Sequence, residues 1–238
     1  MKAHLKRLPS PNSWNIQRKG IAYITRPLPG GHSFNVAVSL STLMKTILGK
    51  AKTTKEVKKI LFNNKILIDG KRVTQTKYLV GLMDTISLVE AKEQFRILLN
   101  EKGQLTAIPI PSSEASIKPC MIVGKQILKK GKMQLNLSDG RNQIIDKDPY
   151  KVGDTIILSL PKQQIKTHLA FEKGAYAFLT GGKFSGKHGV VEDIKEGKII
   201  CKIDGEVLET QKRFAFIIGK GKSTITLKEN ESDAKHKD

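Results

Sequence analysis

The sequence has few aromatic residues and no long apolar run. Aromatic side chains make up 5% of the 238 residues, too few for the deep aromatic pocket of a large enzyme domain. No segment approaches the ~20 apolar residues that a membrane-spanning helix needs. The first residues, from Met1 to Arg7, lack the apolar core of a signal peptide. These absences predict an intracellular, soluble protein that is built from two or three small modules.

Cysteine is also scarce. Cys120 and Cys201 are far apart in the chain, without the nearby Cys/His pairs that zinc sites usually show. The five histidines, His4, His32, His168, His188 and His236, are scattered as well. No local sequence supplies a nucleophile elbow or a metal-binding histidine pair, although a catalytic triad can assemble from distant positions. We therefore expect no disulfide, no metal, no cofactor, no small-molecule substrate and no catalytic centre.

Positive charge is abundant. The chain carries 42 Lys and Arg against 22 Asp and Glu, a formal net charge of +20. Folding does not need this excess, which opposes compaction, whereas each phosphate that a Lys or Arg neutralises releases a counterion from nucleic acid. A solvated basic surface without a partner is the alternative. We favour a polyanionic partner and a strongly salt-dependent interaction with it.

The N-terminal segment is a basic arm. The chain has no acidic residue before Glu56, and several prolines and glycines interrupt the first part of this acid-free stretch. This composition predicts that residues 1–38 are extended, lack a core of their own and become ordered against a partner. Its candidate RNA-binding residues are Lys2, His4, Lys6, Arg7, Arg18, Lys19 and Arg26. We interpret Trp14 as a packing anchor of the arm, in preference to a base-stacking residue.

Residues 39–90 predict a helix-helix-sheet module. Apolar residues at helical spacing favour a helix from Ser39 to Gly49, and Thr53 and Glu56 form the pattern of a capping box for a second helix. Asp69-Gly70 is a strong signal for a tight hairpin turn. Basic residues on these helices and this turn, Lys45, Lys52, Lys55, Lys58, Lys59, Lys71 and Arg72, indicate a cationic face that could bind phosphates. A solvated amphipathic helix is the alternative. Because an acid-free arm leads into these helices, we favour RNA binding over it.

The rest of the chain predicts β-structure. Short strands separated by turns favour an all-β central domain at 91–173, and five closely spaced strand candidates favour a small SH3-like five-stranded barrel at 174–227. The charged residues 228–238 lack apolar anchors and predict a disordered tail. The expected fold class is thus α+β and predominantly β, with the basic arm and the helix-helix-sheet module before two β modules.

The sequence resembles a known family over nearly its whole length. Leu40 to Leu88 looks like the RNA-binding module named after the fourth small-subunit ribosomal protein. The start His4-Leu5-Lys6-Arg7-Leu8, the segment Arg26 to His32, and Ser138 to Asn142 resemble the archaeal and eukaryotic e-type version of that protein. The resemblance implies a structural ribosomal constituent that binds 16S-type ribosomal RNA and neighbouring ribosomal proteins. We expect it to act in the cytoplasm, to bind no membrane and to form no homo-oligomer. It adds Arg141 to the expected RNA-binding residues.

A glycine-rich stretch in the barrel resembles the KOW motif of ribosomal and transcription proteins. Glycines in Leu179 to Val191 allow close approach to phosphate, and Lys183, Lys187 and His188 add donors. A simple glycine-rich turn is the alternative, and the family resemblance favours RNA or protein contact. Gly181, Gly186 and Lys187 have the spacing of a P-loop motif, but His188 replaces the Ser or Thr that would bind magnesium. We therefore reject a nucleoside triphosphatase.

Two other functions remain as alternatives. One is an RNA-modifying enzyme such as a pseudouridine synthase, since such enzymes can carry a similar helical module. Its catalytic aspartate needs a large mixed domain, whereas Asp139 lies in an Asp-Gly turn within a strand-rich region. The other is a transcription factor that uses the KOW-like barrel. The sequence favours the structural ribosomal function over both.

Overall fold

The computed structural model describes residues 4–146, 148–203 and 205–227. Lys2 and the predicted tail at 228–238 lie outside the described residues. The arm begins with β1 (Leu5–Lys6), which pairs antiparallel with β2 (Tyr23–Ile24). Trp14 is 1% exposed, and its indole N–H donates to the carbonyl of Ala37 at 2.8 Å. The prediction that Trp14 is a packing anchor is confirmed, and part of the arm's order comes from the chain itself.

The helices of the module are short. A strand, β3 (Ala37–Ser39), leads into α1 (Leu40–Thr42) and a π-helical turn (Leu43–Ile47), where we expected one helix to residue 49. The next helix, α2 (Thr54–Asn63), has the predicted capping box: the Thr53 hydroxyl accepts from the Glu56 amide at 3.2 Å, and the Glu56 carboxylate accepts from the Thr53 amide at 3.4 Å. The cap fixes where α2 begins.

A five-stranded antiparallel sheet packs against these helices. Its strands are β4 (Ile66–Ile68), β5 (Lys71–Arg72), β7 (Thr85–Leu88), β8 (Glu93–Leu99) and β9 (Leu105–Pro109), in the order β5-β4-β7-β8-β9, while β6 (Leu79–Gly81) pairs with β3. The predicted boundary at residue 90 lies inside this sheet. A tight turn, in which Lys92 has a φ of +55°, folds β8 back onto β7. Strands β8 and β9 therefore extend the sheet of the helical module.

The central region is a second five-stranded antiparallel sheet that follows α3 (Ser112–Ala115). Its order is β12-β11-β10-β13-β14, and its core includes Cys120, Ile122 and Leu158. The strands are β10 (Ile117–Ile127), β11 (Met133–Leu137), β12 (Asn142–Ile145), β13 (Thr155–Ser159) and β14 (Gln164–Leu169).

The C-terminal module contains all five predicted strands. They are β15 (Ala175–Leu179), β16 (His188–Lys195), β17 (Lys198–Ile203), β18 (Glu206–Gln211) and β19 (Ala215–Lys220). A short sixth strand, β20 (Lys222–Ser223), extends the sheet, whose order is β18-β17-β16-β15-β19-β20. The module is thus a six-stranded half-barrel in the described residues, whereas the sequence predicted a five-stranded barrel. The added strand forms because Gly221, at a φ of +67°, turns the chain back at once.

One hydrophobic cluster joins the arm, the helical module and the half-barrel, while the half-barrel and the central sheet also have clusters of their own. Trp14 of the arm, Leu61 of α2, Leu105 of β9 and Phe216 of the half-barrel belong to a single cluster of buried side chains. The chain is predominantly β, as predicted. Within the described residues, no helix is long and apolar enough to span a membrane.

Candidate nucleic-acid interface

Helix α2 presents a basic stripe to solvent. Lys55, Lys58 and Lys59 are exposed, and their spacing places them on one helix face. The opposite face buries Val57 and Leu61 in the core. The only acid of the helix, Glu56, is used by the cap: hydrogen bonds from the Lys52 amide and the Thr53 hydroxyl hold the pKa of its carboxyl below the usual range. With three lysines and this one glutamate, α2 keeps a net positive charge on its exposed side.

Lys45 adds a cation at the start of this helix, and Arg7 of the arm lies near Lys45. Lys45, on the π-helical turn, donates from Nζ to the Thr54 hydroxyl at 3.3 Å. Partial burial lowers the pKa of Lys45, and the neighbouring positive charge of Arg7 lowers this pKa further. Neighbouring positive charges repel each other, and a phosphate bound by both would relieve the repulsion. The fold thus brings together two predicted site residues from separate segments.

A groove lies between α2 and the loop that precedes β6. It has a volume of about 430 Å³. The side chain of Phe62, on α2, is 83% exposed, and Leu28 of the arm is 42% exposed. The Leu28 amide donates to the Lys77 carbonyl at 2.8 Å, which holds this part of the arm against the loop before β6. The residues that line the groove are Leu28, Lys58, Phe62, Thr74, Gln75, Thr76 and Lys77.

The predicted hairpin turn directs cations outward and an acid inward. Asp69 and Gly70 have φ values of +50° and +75°, as a tight two-residue turn requires. Lys71 and Arg72 are exposed on edge strand β5. Asp69 is 4% exposed, and its carboxylate accepts from the Thr85 amide at 3.0 Å. The turn therefore separates two exposed cations from a buried carboxylate.

Asp69 belongs to a buried ion cluster that joins the arm, the helical module and the central sheet. The Nζ atom of Lys118 lies 2.6 Å from the Asp69 carboxylate, 2.5 Å from that of Asp84 and 3.2 Å from that of Asp139. His32 of the arm lies 2.8 Å from Asp84. We call the following set the buried ion cluster: His32, Asp69, Asp84, Lys118, Asp139 and Arg141. Its residues come from positions more than 100 apart in the sequence, so no local pattern could have predicted it.

The charges of the cluster stabilise one another. Burial by itself would lower the pKa of Lys118, but the carboxylates of Asp84 and Asp69 raise this pKa well above its usual range. Burial by itself would raise the pKa of Asp84, yet Lys118 and His32 hold it well below the usual range. Lys118 and Asp84 are both ionised as a result.

Arg141, a predicted RNA-binding residue, points into this cluster. Its guanidinium lies 2.6 Å from Asp69 and 3.3 Å from Asp139, and its side chain is 21% exposed. These carboxylates neutralise its charge within the protein. In this structure Arg141 joins two modules through its ion pairs.

The glycine-rich loop of the half-barrel docks on the turn between β8 and β9. Gly186, at a φ of +83°, lies so close to the Asn100 carbonyl that an added Cβ would be 1.9 Å from that oxygen. Lys183 is exposed, whereas Lys187 and His188 are partly buried. The Nδ1 atom of His188 lies 2.8 Å from the Tyr176 hydroxyl. The close approach that we expected of a glycine here is thus made to protein backbone.

The other predicted site residues lie on the arm and just before α2. Among them, Arg18 donates to the carbonyls of Leu8, Ser10 and Pro11, which holds the arm's turn together. Arg26 is partly buried. The exposed ones are His4, Lys6, Lys19 and Lys52.

Sequence reasoning missed the groove and its aromatic residue. Phe62 follows Lys55 by seven positions and Lys58 by four, which already places it on the exposed face of α2. This signal was present in the sequence. The contribution of Leu28 and Lys77 was not visible, because it depends on where the arm crosses the module.

Comparison with known proteins identifies the family. Three family descriptions match: the RS4NT (NUC023) domain at residues 1–35, the S4 domain at 41–86 and Ribosomal family S4e at 91–165. The small ribosomal subunit protein eS4 of Methanocaldococcus jannaschii is 38% identical over 95% of this chain and 98% of its own length, and that of Methanococcus maripaludis is 37% identical over 94% and 97%. The crystal structure of the 30S ribosomal protein S4e from Thermoplasma acidophilum matches with a TM-score of 0.68 at 30% identity, covering 77% of this chain and 95% of that one. The chain belongs to the S4e family of ribosomal proteins.

Proposed function

We propose that this protein is a structural constituent of the small ribosomal subunit, in the cytoplasm, and that it binds ribosomal RNA and neighbouring ribosomal proteins. The observation that carries the proposal is the basic stripe Lys55, Lys58 and Lys59 on α2, next to the cation pair Arg7 and Lys45. A net charge of +20 supports it. Membership of the S4e family favours this function over the RNA-modifying enzyme and the transcription factor.

The proposed binding depends on charge and shape. Lys and Arg side chains hold phosphates of any sequence, so the stripe on α2 should position RNA with little direct base readout. Lys71, Arg72 and the arm residue Lys6 are exposed and extend the cationic surface beyond α2. Because the arm, the module and the half-barrel share a core, they would hold different RNA segments in a fixed relation. The function needs no catalytic group.

A salt titration of RNA binding tests the stripe. We expect the triple variant Lys55→Ala, Lys58→Ala, Lys59→Ala to bind small-subunit ribosomal RNA more weakly and to flatten the slope of log K against log salt by up to about three units, at ~0.9 per lost phosphate contact. The lysines are exposed, so the fold should remain.

The matched control removes three exposed lysines, one just before the half-barrel and two in it, that already pair with acids. Lys173, Lys198 and Lys202 lie 2.7, 2.7 and 4.0 Å from acidic oxygens. Their replacement by Ala removes the same formal charge, and we expect a much smaller change in slope. An equal change in both triple variants, or none in the first, would contradict a binding face on α2.

Sedimentation separates the proposed function from the transcription alternative. On sucrose gradients at low salt we expect the protein to migrate with small ribosomal subunits, and to leave them as the salt concentration rises. Migration with RNA polymerase instead would contradict the proposal. Release of tritium from labelled uridine in RNA would indicate a modifying enzyme.

A further inference from the structure

We propose that the groove between α2 and residues 74–77 binds an unpaired nucleotide of the RNA, with its base stacked on Phe62. This inference rests on the proposed function and adds a binding subsite to it. The groove has an apolar surface formed by Phe62 and Leu28, and cations at Lys58 and Lys77. A nucleotide combines a flat apolar base with an anionic phosphate, so it matches both parts of the groove.

The position of Phe62 supports the inference. Lys55, Lys58, Lys59 and Phe62 occupy positions i, i+3, i+4 and i+7, so the aromatic ring ends the basic stripe on the same face of α2. Seven residues of helix span about 10 Å. A strand whose phosphates lie along the lysines would therefore pass the ring within a few nucleotides. With 83% of its side chain exposed, Phe62 is free to present its face to a base.

The rest of the groove suits a nucleotide as well. Each of its seven lining residues is neutral or cationic, so no lining carboxylate repels phosphate. The side chains of Thr74 and Gln75 are exposed and can exchange hydrogen bonds with the edge of a base. The backbone amide of Leu28 donates to the Lys77 carbonyl, which places this apolar residue at the groove in the RNA-free protein.

Charge favours RNA over a protein as the occupant. The flanking helix carries three exposed lysines against the single carboxylate of Glu56, so it keeps a net positive charge. Stacking on an aromatic face accepts any base, which fits a surface that otherwise recognises phosphate. An apolar protein side chain would accept Leu in place of Phe62, whereas a stacked base would not.

Substitutions at Phe62 test the inference in the full-length protein. With 16S-type ribosomal RNA as the probe, we expect Phe62→Ala to weaken binding about ten-fold, the effect of losing one stacked base, with the salt slope unchanged. Phe62→Leu should weaken it similarly, and Phe62→Tyr should retain nearly full affinity. Ile127→Ala, a matched truncation of a residue that is 73% exposed on β10, should have no effect. Ultraviolet crosslinking should join Phe62 to a nucleotide in the wild-type complex.

The outcomes separate this inference from the proposed function. Wild-type protein that does not bind the RNA at low salt would overturn the function and the subsite together. Salt-dependent binding that is equal for wild type, Phe62→Ala and Phe62→Leu would overturn the subsite only. Loss of a ribosomal protein from reconstituted subunits with Phe62→Ala, at unchanged RNA affinity, would also overturn it and assign the groove to protein contact.

Discussion

Lys118 is 1% exposed, and three carboxylates from different parts of the chain surround its ammonium group. Asp69 and Asp84 belong to the helical module and Asp139 to the central sheet. An ammonium group in this position neutralises acids that would otherwise repel each other in a poorly solvated space. The contact between the two modules therefore depends on this one side chain more than on any exposed ion pair.

Replacing Lys118 tests this dependence. We expect Lys118→Met to lower the free energy of unfolding by about 3–5 kcal/mol, because breaking a buried ion pair leaves an uncompensated buried charge. Urea denaturation would measure the loss. The control is Lys198→Met on β17, whose Nζ lies 2.7 Å from Glu209 with both side chains more than half exposed. Solvent screens that pair, so the control should change stability very little. Equal stability of the two variants would contradict the role of Lys118.

Three residues of the cluster, Asp84, Asp139 and Lys118, make stability depend on pH. The pKa values of Asp84 and Asp139 are lowered in the folded protein, so their contribution is complete above the unfolded carboxyl pKa of about 4 and is lost as pH falls through the folded values. The pKa of Lys118 is raised, so its contribution is complete below about pH 10 and is lost as pH rises further. From these groups we expect constant stability between those limits and a decline on both sides.

Unfolding in urea at a series of pH values would measure this profile. Asp84→Asn should lower stability at neutral pH and make the acidic decline shallower, since one carboxylate with a lowered pKa is gone. Asp146→Asn is the control, because that carboxylate is 83% exposed and 3.5 Å from Lys132. An acidic decline that is as steep in Asp84→Asn as in the wild type would mean that other carboxylates cause it.

Single residues differ in how far the sequence reveals their role. Trp14 was predicted to anchor the arm, because a lone tryptophan in a segment without a core needs apolar neighbours. Arg141 was placed among RNA-binding residues by resemblance, yet its guanidinium lies against Asp69, which is 72 positions away in the chain. Such long-range ion pairs leave no local pattern, so a basic residue in a basic protein cannot be assigned to RNA from the sequence alone.

At the scale of elements, local signals predicted what local interactions determine. The capping box of α2 and the Asp69-Gly70 turn depend on residues within four positions of each other, and both are present. The end of the first sheet was not predicted, because β8 pairs with β7 through hydrogen bonds that sequence periodicity does not register. The strands of the half-barrel were predicted from their spacing, whereas the docking of its glycine-rich loop was not.

That docking can be tested with a pair of glycines in the same module. Gly186 and Gly197 have φ values of +83° and +74°, so Ala is strained at both, by about 1–2 kcal/mol. Of these two, only Gly186 would place the new Cβ against a backbone carbonyl, that of Asn100, while at Gly197 no atom of the described part of the chain lies within 4 Å. We expect Gly186→Ala to cost clearly more stability than Gly197→Ala, and to increase hydrogen exchange at the Gly103 amide, which donates to Asn100 at 2.8 Å. Equal costs would contradict a tight contact between the loop and the turn.

At the scale of the whole molecule, two sets of buried contacts connect the modules and should couple their unfolding. The cluster that contains Trp14 also contains Leu61, Leu105, Phe216 and Ile225, which come from the arm, the helix, the first sheet, the half-barrel and the segment after it. Removing the arm, the helical module or the half-barrel would expose apolar surface on the other two. The buried ion cluster adds a second connection, because His32 links the arm to Asp84 and Lys118 links Asp84 to the central sheet.

We therefore expect the chain to unfold as one cooperative unit. Trp14 is the only tryptophan, so its fluorescence reports the docking of the arm, while far-ultraviolet circular dichroism reports the strands of all modules. If the arm and the modules depend on a common core, the two signals should change at the same urea concentration. Lys118→Met should shift both midpoints together, because the cluster and the core connect the same modules. An arm that releases Trp14 before the strands melt would show instead that its order is separable from the rest, and that RNA has to stabilise it.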